Sequence, residues 1–234
     1  MDIAATPDVP AGSSPPAPAA PAEAVRPLLR GWLHVAALAF FVVAGPLLAY
    51  RASGPGDSAA LSVYVASMVA LFAVSAGFHR ITWSPGARRR MRRADHTSIF
   101  VAIAGTYTAV AGLILRGWAQ ILVLCLVWVG AAGGVAMRQM WLDAPKWAVA
   151  LPYVVVGWSA LAVIPQLYRS LSGGGFALLS AGGLAYSAGA VVYALKKPDP
   201  VPGVFGYHEV FHLCTIVGAT LHYCAISVYA LARA

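Results

Sequence analysis

Apolar segments of about 20 residues recur along the chain, and they restrict its fold more than any other feature. Each segment is long enough to cross a hydrocarbon core about 30 Å thick. Hydrophobic residues make up 60% of the 234 residues and charged residues 10%, whereas soluble domains are about 25% charged. The links between the segments are short. The sequence therefore predicts an all-α integral membrane protein folded as one seven-transmembrane helix bundle.

The predicted spans cover residues 31–50, 59–78, 97–115, 117–137, 147–167, 171–195 and 210–231. Prolines at 46, 152 and 165 predict kinks or span boundaries. Residues 1–24 are mostly Ala, Pro, Ser and Gly, a composition that buries too little apolar area to offset the entropy of ordering. We expect a disordered cytoplasmic tail over residues 1–24 and a transmembrane domain over residues 25–234.

The basic residues fall mostly on one side of the predicted bundle. When the spans alternate in direction, 12 of the 16 Lys and Arg residues lie on the side of the N-terminus. The other side holds Arg51, Arg116, Arg169 and Arg233. The positive-inside rule then predicts a cytoplasmic N-terminus and an external C-terminus. The arginine run at residues 88–93 is interpreted as a topology anchor at anionic headgroups, not as a nucleic-acid surface.

Two histidines, His208 and His212, lie four residues apart where the seventh span begins. At this spacing two imidazoles share one helix face and can bind the same metal ion. Ionisable side chains at membrane depth are costly, so such a pair is a candidate functional site. The pair therefore raises the question of which other polar groups share its depth.

Depth follows from sequence position, because a helix rises about 1.5 Å per residue. The second span ends with Ser75 and His79, and the third starts with Asp95, both at the side predicted to be cytoplasmic. With His208 and His212 they form one layer. Three imidazoles with an open fourth position are the catalytic arrangement for Zn²⁺. We therefore predict Zn²⁺ on His79, His208 and His212, with Asp95 accepting the proton of a zinc-bound water and Ser75 hydrogen-bonding a carboxylate or substrate carbonyl.

Four motifs, in this order along the chain, give it a resemblance to the haemolysin III family, the bacterial branch of the progestin and adiponectin receptor superfamily. They are Ser75-x-x-x-His79, residues 93–100 (RADHTSIF), residues 104–108 (AGTYT) and residues 205–212 (FGYHEVFH). The resemblance covers about residues 31–232. It implies an adiponectin-receptor-like fold in a bacterial cytoplasmic membrane and the same three-histidine zinc site with Asp95 and Ser75. It also implies hydrolysis of lipid amides or esters, and a role in membrane-lipid homeostasis.

The leading interpretation is thus a zinc-dependent lipid hydrolase whose fatty-acyl substrate enters laterally from the bilayer. Alternatives are a non-enzymatic receptor or regulator with structural zinc, and a cytolysin. A fourth reading follows from the H-E-x-x-H pattern at residues 208–212, which would make Glu209 the base of an intramembrane protease. His96 is interpreted as lying behind the site or facing headgroups. His34 and His222 are predicted to lie outside the polar layer.

Overall fold

The computed structural model describes residues 27–231, so the predicted tail at residues 1–24 lies outside the described part of the chain. The described residues form helices and one isolated β-bridge between Val201 and Phe205. The eight α-helices are α1 (Trp32–Ala49), α2 (Pro55–Arg80), α3 (Pro85–Leu113), α4 (Trp118–Met140), α5 (Lys146–Gly157), α6 (Ile164–Ser170), α7 (Gly173–Leu195) and α8 (Tyr207–Leu231). A 3-10 turn, Ser159–Val163, joins α5 to α6.

Seven segments are long and apolar enough to cross a membrane, counting α5, the 3-10 turn and α6 as one span, Lys146–Ser170. The predicted seven-helix bundle is therefore confirmed. Because successive spans alternate in direction, α1, α3, α5 and α8 begin at one end, and α2, α4 and α7 finish there. We call this the basic end; it carries Arg30, the arginines of residues 88–93, Arg138 and Lys146.

The third and seventh spans begin earlier than their apolar stretches, because capping residues rather than hydrophobicity set these helix starts. Helix α3 begins at Pro85, where Ser84 caps it by accepting a hydrogen bond from the Ala87 amide at 3.5 Å. The arginine run is consequently helical. Helix α8 begins at Tyr207, and Glu209 accepts a hydrogen bond from the amide of Gly206 at 2.9 Å. His208 therefore lies in the first turn of α8.

The fifth span is interrupted where it would otherwise be a continuous helix. Pro152 lies inside α5, and Pro165 occupies the first turn of α6. The hydroxyl of Tyr107 on α3 donates to the carbonyl of Gly157 at 2.5 Å and accepts from the amide of Ala160 at 3.0 Å. Backbone groups freed inside a membrane need such partners. Tyr107 thus stabilises the break and ties it to the centre of the bundle.

The packing brings α1, α2, α3 and α8 together around the basic end. Helix α2 packs along α3, α7 packs along α8, and α1 contacts both α2 and α8. Phe41 and Phe72 are buried and stack at 5.3 Å between ring centroids, directly below the polar residues. The rings of Phe72 and His34 meet edge to face, with centroids 5.1 Å apart. This aromatic cluster packs against the start of α1, which carries His34.

Accessibility of engineered cysteines tests the orientation of the bundle. In a variant without the three native cysteines, we expect Arg89→Cys at the basic end to be shielded from an impermeant thiol reagent in intact bacteria. Gly56→Cys at the opposite end should be labelled, because the side with more Lys and Arg stays in the cytoplasm. Labelling of Arg89→Cys with shielding of Gly56→Cys would reverse the proposed orientation.

Candidate metal centre

Three histidines converge at the basic end of the bundle. His79 comes from the last turn of α2, and His208 and His212 lie one turn apart on α8. One ring nitrogen from each lies within 4.8 Å of the others, and the Nε2 atoms of His79 and His208 are 3.2 Å apart. Imidazole nitrogens at these separations could hold one metal ion. The three residues that the sequence predicted as ligands are therefore brought together.

The start of α1 helps to position His79. Gly31 precedes α1 with φ +83°, a conformation that residues with a side chain rarely adopt. A Cβ atom at Gly31 would lie 2.8 Å from the Cβ of His79. Only glycine therefore lets the chain turn into α1 while lying directly against the end of α2.

Asp95 and Ser75 line the same cavity as the three histidines. Both are buried, and the Ser75 hydroxyl hydrogen-bonds the Asp95 carboxylate. Asp95 lies on α3 and Ser75 lies one turn before His79 on α2. The structure thus supplies a hydrogen-bonded carboxylate beside the histidine cluster, in the layer that sequence position predicted.

His34 belongs to this layer, and the prediction that it lies outside was wrong. Its ring is parallel to that of His212, with centroids 3.8 Å apart and an angle of 8° between the planes. His34 is buried, and within the described chain neither of its ring nitrogens has a hydrogen-bond partner. The position of His34 along the first span could have predicted its place in the layer, because His34 lies in the first turn of α1, which begins at the basic end.

Glu209 turns away from the histidines and has partners on both carboxylate oxygens. Arg30 pairs with its Oε1, and the Gly206 amide donates to its Oε2. Glu209 is 1% exposed, so this ion pair is largely shielded from water. A general base must lie within hydrogen-bond reach of the proton that it takes, and Glu209 does not line the cavity that holds the histidines. The geometry therefore disfavours the protease reading of the H-E-x-x-H pattern.

The remaining histidines have other partners. His96 lines the cavity, with its Nδ1 3.3 Å from the Tyr153 hydroxyl, which also lies 3.2 Å from the His96 carbonyl. His222 lies about 15 Å further along α8 than His212, and its Nε2 is 3.0 Å from the Leu179 carbonyl. His222 thus joins α8 to α7 by a hydrogen bond, as the sequence predicted, and stands apart from the histidine cluster.

A cavity of about 340 Å³ connects the polar layer to the interior of the bundle. Along α7 its wall is a stripe at helical spacing: Gly183, Tyr186, Ser187, Ala190 and Tyr193. The ten helical steps from the first to the last of these rise about 15 Å, roughly half of a hydrocarbon core of about 30 Å. The cavity also reaches the break in the fifth span at Gly157 and Trp158. It therefore has a polar end near the membrane surface and a mainly apolar end near mid-bilayer depth.

Known proteins are similar in sequence to this chain over most of its length. The sequence profile of the family described as "Haemolysin-III related" matches residues 22–223. Hemolysin-3 of Bacillus cereus is 32% identical over 191 residues, covering 80% of this chain and 84% of its own. The Hemolysin-3 homolog of Bacillus subtilis is 30% identical over 195 residues, covering 83% and 86%. The human monocyte to macrophage differentiation factor is 27% identical over 171 residues, covering 71% and 68%.

The profile match covers most of the chain and all four motifs on which the resemblance was based. It also includes each of the three histidines and the Asp95–Ser75 pair. With seven apolar helices, these matches show that the protein is an integral membrane protein. The chain belongs to the haemolysin III family, within the progestin and adiponectin receptor superfamily.

Proposed function

We propose that this protein is a zinc-dependent hydrolase of lipid amide or ester bonds within the membrane. One observation carries the proposal: three histidine nitrogens lie beside a hydrogen-bonded carboxylate at the head of a cavity that continues between apolar walls. Water-activating groups at the membrane surface and an apolar cavity below them match the two parts of an acylated lipid. The proposed ligands are His79, His208 and His212.

One pair of the histidines has the spacing of zinc ligands. Bonds of 2.0–2.1 Å at tetrahedral angles place two ligand nitrogens about 3.3 Å apart, close to the 3.2 Å between the Nε2 atoms of His79 and His208. The three ligand nitrogens lie within 4.8 Å of one another, so binding of zinc would draw the set together. Three imidazoles leave a fourth position for water or substrate. Within the described chain, the buried Nδ1 of His212 has no hydrogen-bond partner. The donor set thus suits zinc in a catalytic arrangement.

The protein groups around the histidines have separate roles in the proposed reaction. When bound, zinc supplies a water that is readily deprotonated near neutral pH and polarises the substrate carbonyl. Asp95 accepts the proton from the attacking water and returns it to the leaving amine or alcohol. Ser75 donates a hydrogen bond to Asp95 and so fixes its orientation. The products are a fatty acid and the released amine or alcohol.

The apolar part of the cavity is the proposed site of the acyl chain. The whole cavity extends about 15 Å along α7, from the polar end to about half the depth of a core of about 30 Å, and its apolar part is the deeper portion of that length. A lipid entering laterally from the bilayer would keep its chain among apolar groups throughout. With the basic end in the cytoplasm, the substrate would come from the inner leaflet of the bacterial cytoplasmic membrane, which suits a role in lipid homeostasis.

The proposal is tested by incubating purified, zinc-analysed protein with a panel of lipid amides and esters and measuring the fatty acid released. Release that depends on zinc and is lost in Asp95→Asn would support the hydrolase. Bound zinc without release from any lipid of the panel would instead support the receptor or regulator alternative. Release of peptides from a membrane protein substrate would support the protease alternative.

Substitutions at two adjacent glycines of α7 distinguish the effect of cavity size on hydrolysis from the effect of helix packing on stability. At Gly183 a Cβ atom would meet nothing within 4 Å, and the residue lines the cavity. We expect Gly183→Leu to fold normally and to reduce hydrolysis of long-chain lipids relative to short-chain lipids by about tenfold or more, because the leucine fills space needed by the chain. Rates for lipids of several chain lengths measure this change.

Gly182 provides the matched control. A Cβ atom there would lie 2.2 Å from Cδ2 of His222 and 3.2 Å from the Gly218 carbonyl, so alanine must displace the His222 ring and disturbs the packing of α7 on α8. We expect Gly182→Ala to lower the melting temperature without a preference for short chains. An unchanged chain-length profile in Gly183→Leu would contradict the assignment of this cavity to the acyl chain.

A further inference from the structure

The mouth of the cavity is lined by cations. Arg30, Arg88, Arg92 and Lys146 all form part of its wall, whereas among the described residues Asp95 is the one carboxylate that does so. They come from the segment before α1, from the first turns of α3 and from the start of α5. Three separate elements thus direct positive charge to the place where a ligand would leave the membrane surface and reach the histidines.

Two of these cations have no carboxylate partner in the described part of the chain. Arg30 pairs with Glu209, and Arg92 pairs with Asp143 at 2.9 Å. Lys146 and Arg88 form no ion pair within residues 27–231. A half-buried ammonium without a counter-ion is costly. An anionic ligand at the mouth would offset that cost.

Aromatic rings hold Lys146 close to the histidine cluster. Its Nζ lies 4.1 Å from the ring centroid of Tyr207 and 4.7 Å from that of Tyr193, and it hydrogen-bonds the Tyr207 hydroxyl. The ring centroids of Tyr207 and Tyr193 lie 6.2 Å and 6.1 Å from that of His208. Lys146 is therefore fixed beside the cluster, where it can meet the headgroup of a lipid whose chain fills the cavity.

The arginine run divides into two faces. Arg88 and Arg92 are four residues apart and line the cavity on the same side of α3 as Asp95. Arg89, Arg90 and Arg93 do not line it. Arg88 is exposed as they are, but its guanidinium lies over the Phe78 ring, 5.2 Å from the centroid, and forms part of the cavity wall. An anchor for the membrane surface alone would not require any of these arginines to line the cavity.

We propose that the basic mouth binds the phosphate of an anionic phospholipid, so that the lipid taken by this site is negatively charged. Hydrolysis of this lipid would rest on the proposed function, whereas its binding at the mouth does not. A phosphate diester offers several acceptor oxygens and can bind an ammonium and guanidinium groups together. A neutral lipid amide would leave the half-buried Lys146 without a counter-ion.

The test is titration calorimetry of the purified full-length protein in a neutral detergent. The probes are short-chain dihexanoyl phosphatidylglycerol, its uncharged counterpart dihexanoylglycerol, and inorganic phosphate. We expect phosphatidylglycerol to bind, with Lys146→Gln and Arg88→Gln each weakening it by about tenfold, the effect of losing a charged hydrogen bond. Dihexanoylglycerol should bind more weakly and equally to all variants.

Arg89→Gln is the matched control, because it removes the same charge from the neighbouring residue of the same helix. Arg89 does not line the cavity, and a charge that does not touch the ligand is screened at about 0.15 M salt, so the Kd should change by less than about twofold. Equal losses in Arg89→Gln and Lys146→Gln would overturn the proposal in favour of general surface attraction. Displacement of phosphatidylglycerol by millimolar inorganic phosphate would overturn the assignment to a lipid.

The two proposals fail in different ways. Selective phosphatidylglycerol binding without hydrolysis of any lipid would leave the headgroup site standing and contradict the hydrolase. Hydrolysis of uncharged lipids at a rate unaffected by Lys146→Gln and Arg88→Gln would contradict the headgroup site and leave the hydrolase standing.

Discussion

Replacing His208 or His212 with alanine is expected to remove zinc from the purified protein. The wild type should contain about one zinc ion per chain, because three imidazoles form one site. Each substitution leaves two protein ligands, too few for a stable zinc site, and the content should fall to near zero. Elemental analysis by mass spectrometry of protein purified without added metal measures this change.

Two other histidines provide controls for the zinc experiment. His34→Phe keeps a flat ring against His212 but removes both nitrogens, so zinc should remain if His34 acts by stacking. His222→Ala removes an imidazole that hydrogen-bonds Leu179, about 15 Å along α8 from His212, and should also leave zinc in place. Full zinc occupancy in both His208→Ala and His212→Ala would contradict the assigned ligands.

Asp95→Asn is expected to abolish lipid hydrolysis while the protein keeps its zinc. Asparagine preserves the size of the side chain but cannot accept the proton of the attacking water. General-base assistance contributes about 10²–10⁴ in rate, so the loss should be of that order. The rate of fatty acid release and the zinc content must be measured on the same preparation, because a variant without metal would say nothing about the base.

Glu209→Gln separates the two candidate bases. Since Arg30 and the Gly206 amide occupy the carboxylate of Glu209, we expect this variant to hydrolyse lipid at nearly the wild-type rate. Its melting temperature should fall, because the largely buried ion pair with Arg30 is lost. If instead Glu209→Gln is inactive and Asp95→Asn is active, Glu209 is the base and peptides are the substrates to examine.

The sequence alone predicted most of the residues that share the polar layer, but not His34. Along a helix, depth depends only on residue number, and seven alternating spans fix which end each residue occupies. This reasoning placed Ser75, His79, Asp95, His208 and His212 at one end, and the structure brings them to one cavity. The same reasoning applied to His34 would have included it, since α1 also begins at that end.

Rotation of each helix about its own axis could not be obtained from the sequence. A helix that is apolar on all sides has no polar face to define its orientation, so packing decides which side chains meet. Packing places His34 against His212 and directs Glu209 to Arg30. It also turns Arg88 and Arg92 towards the cavity, although their sequence context suggested only a surface anchor.

The sequence by itself determined the membrane class, the seven spans and the depth of the polar residues, because these depend on segment length, hydrophobicity and the helical rise. The tertiary structure alone decided the shape of the cavity and the partners of each polar group. The break in the fifth span is an example: its prolines were visible, but the hydroxyl of Tyr107 that satisfies Gly157 and Ala160 comes from α3. Such contacts join residues about 50 positions apart, and they form only when the helices pack.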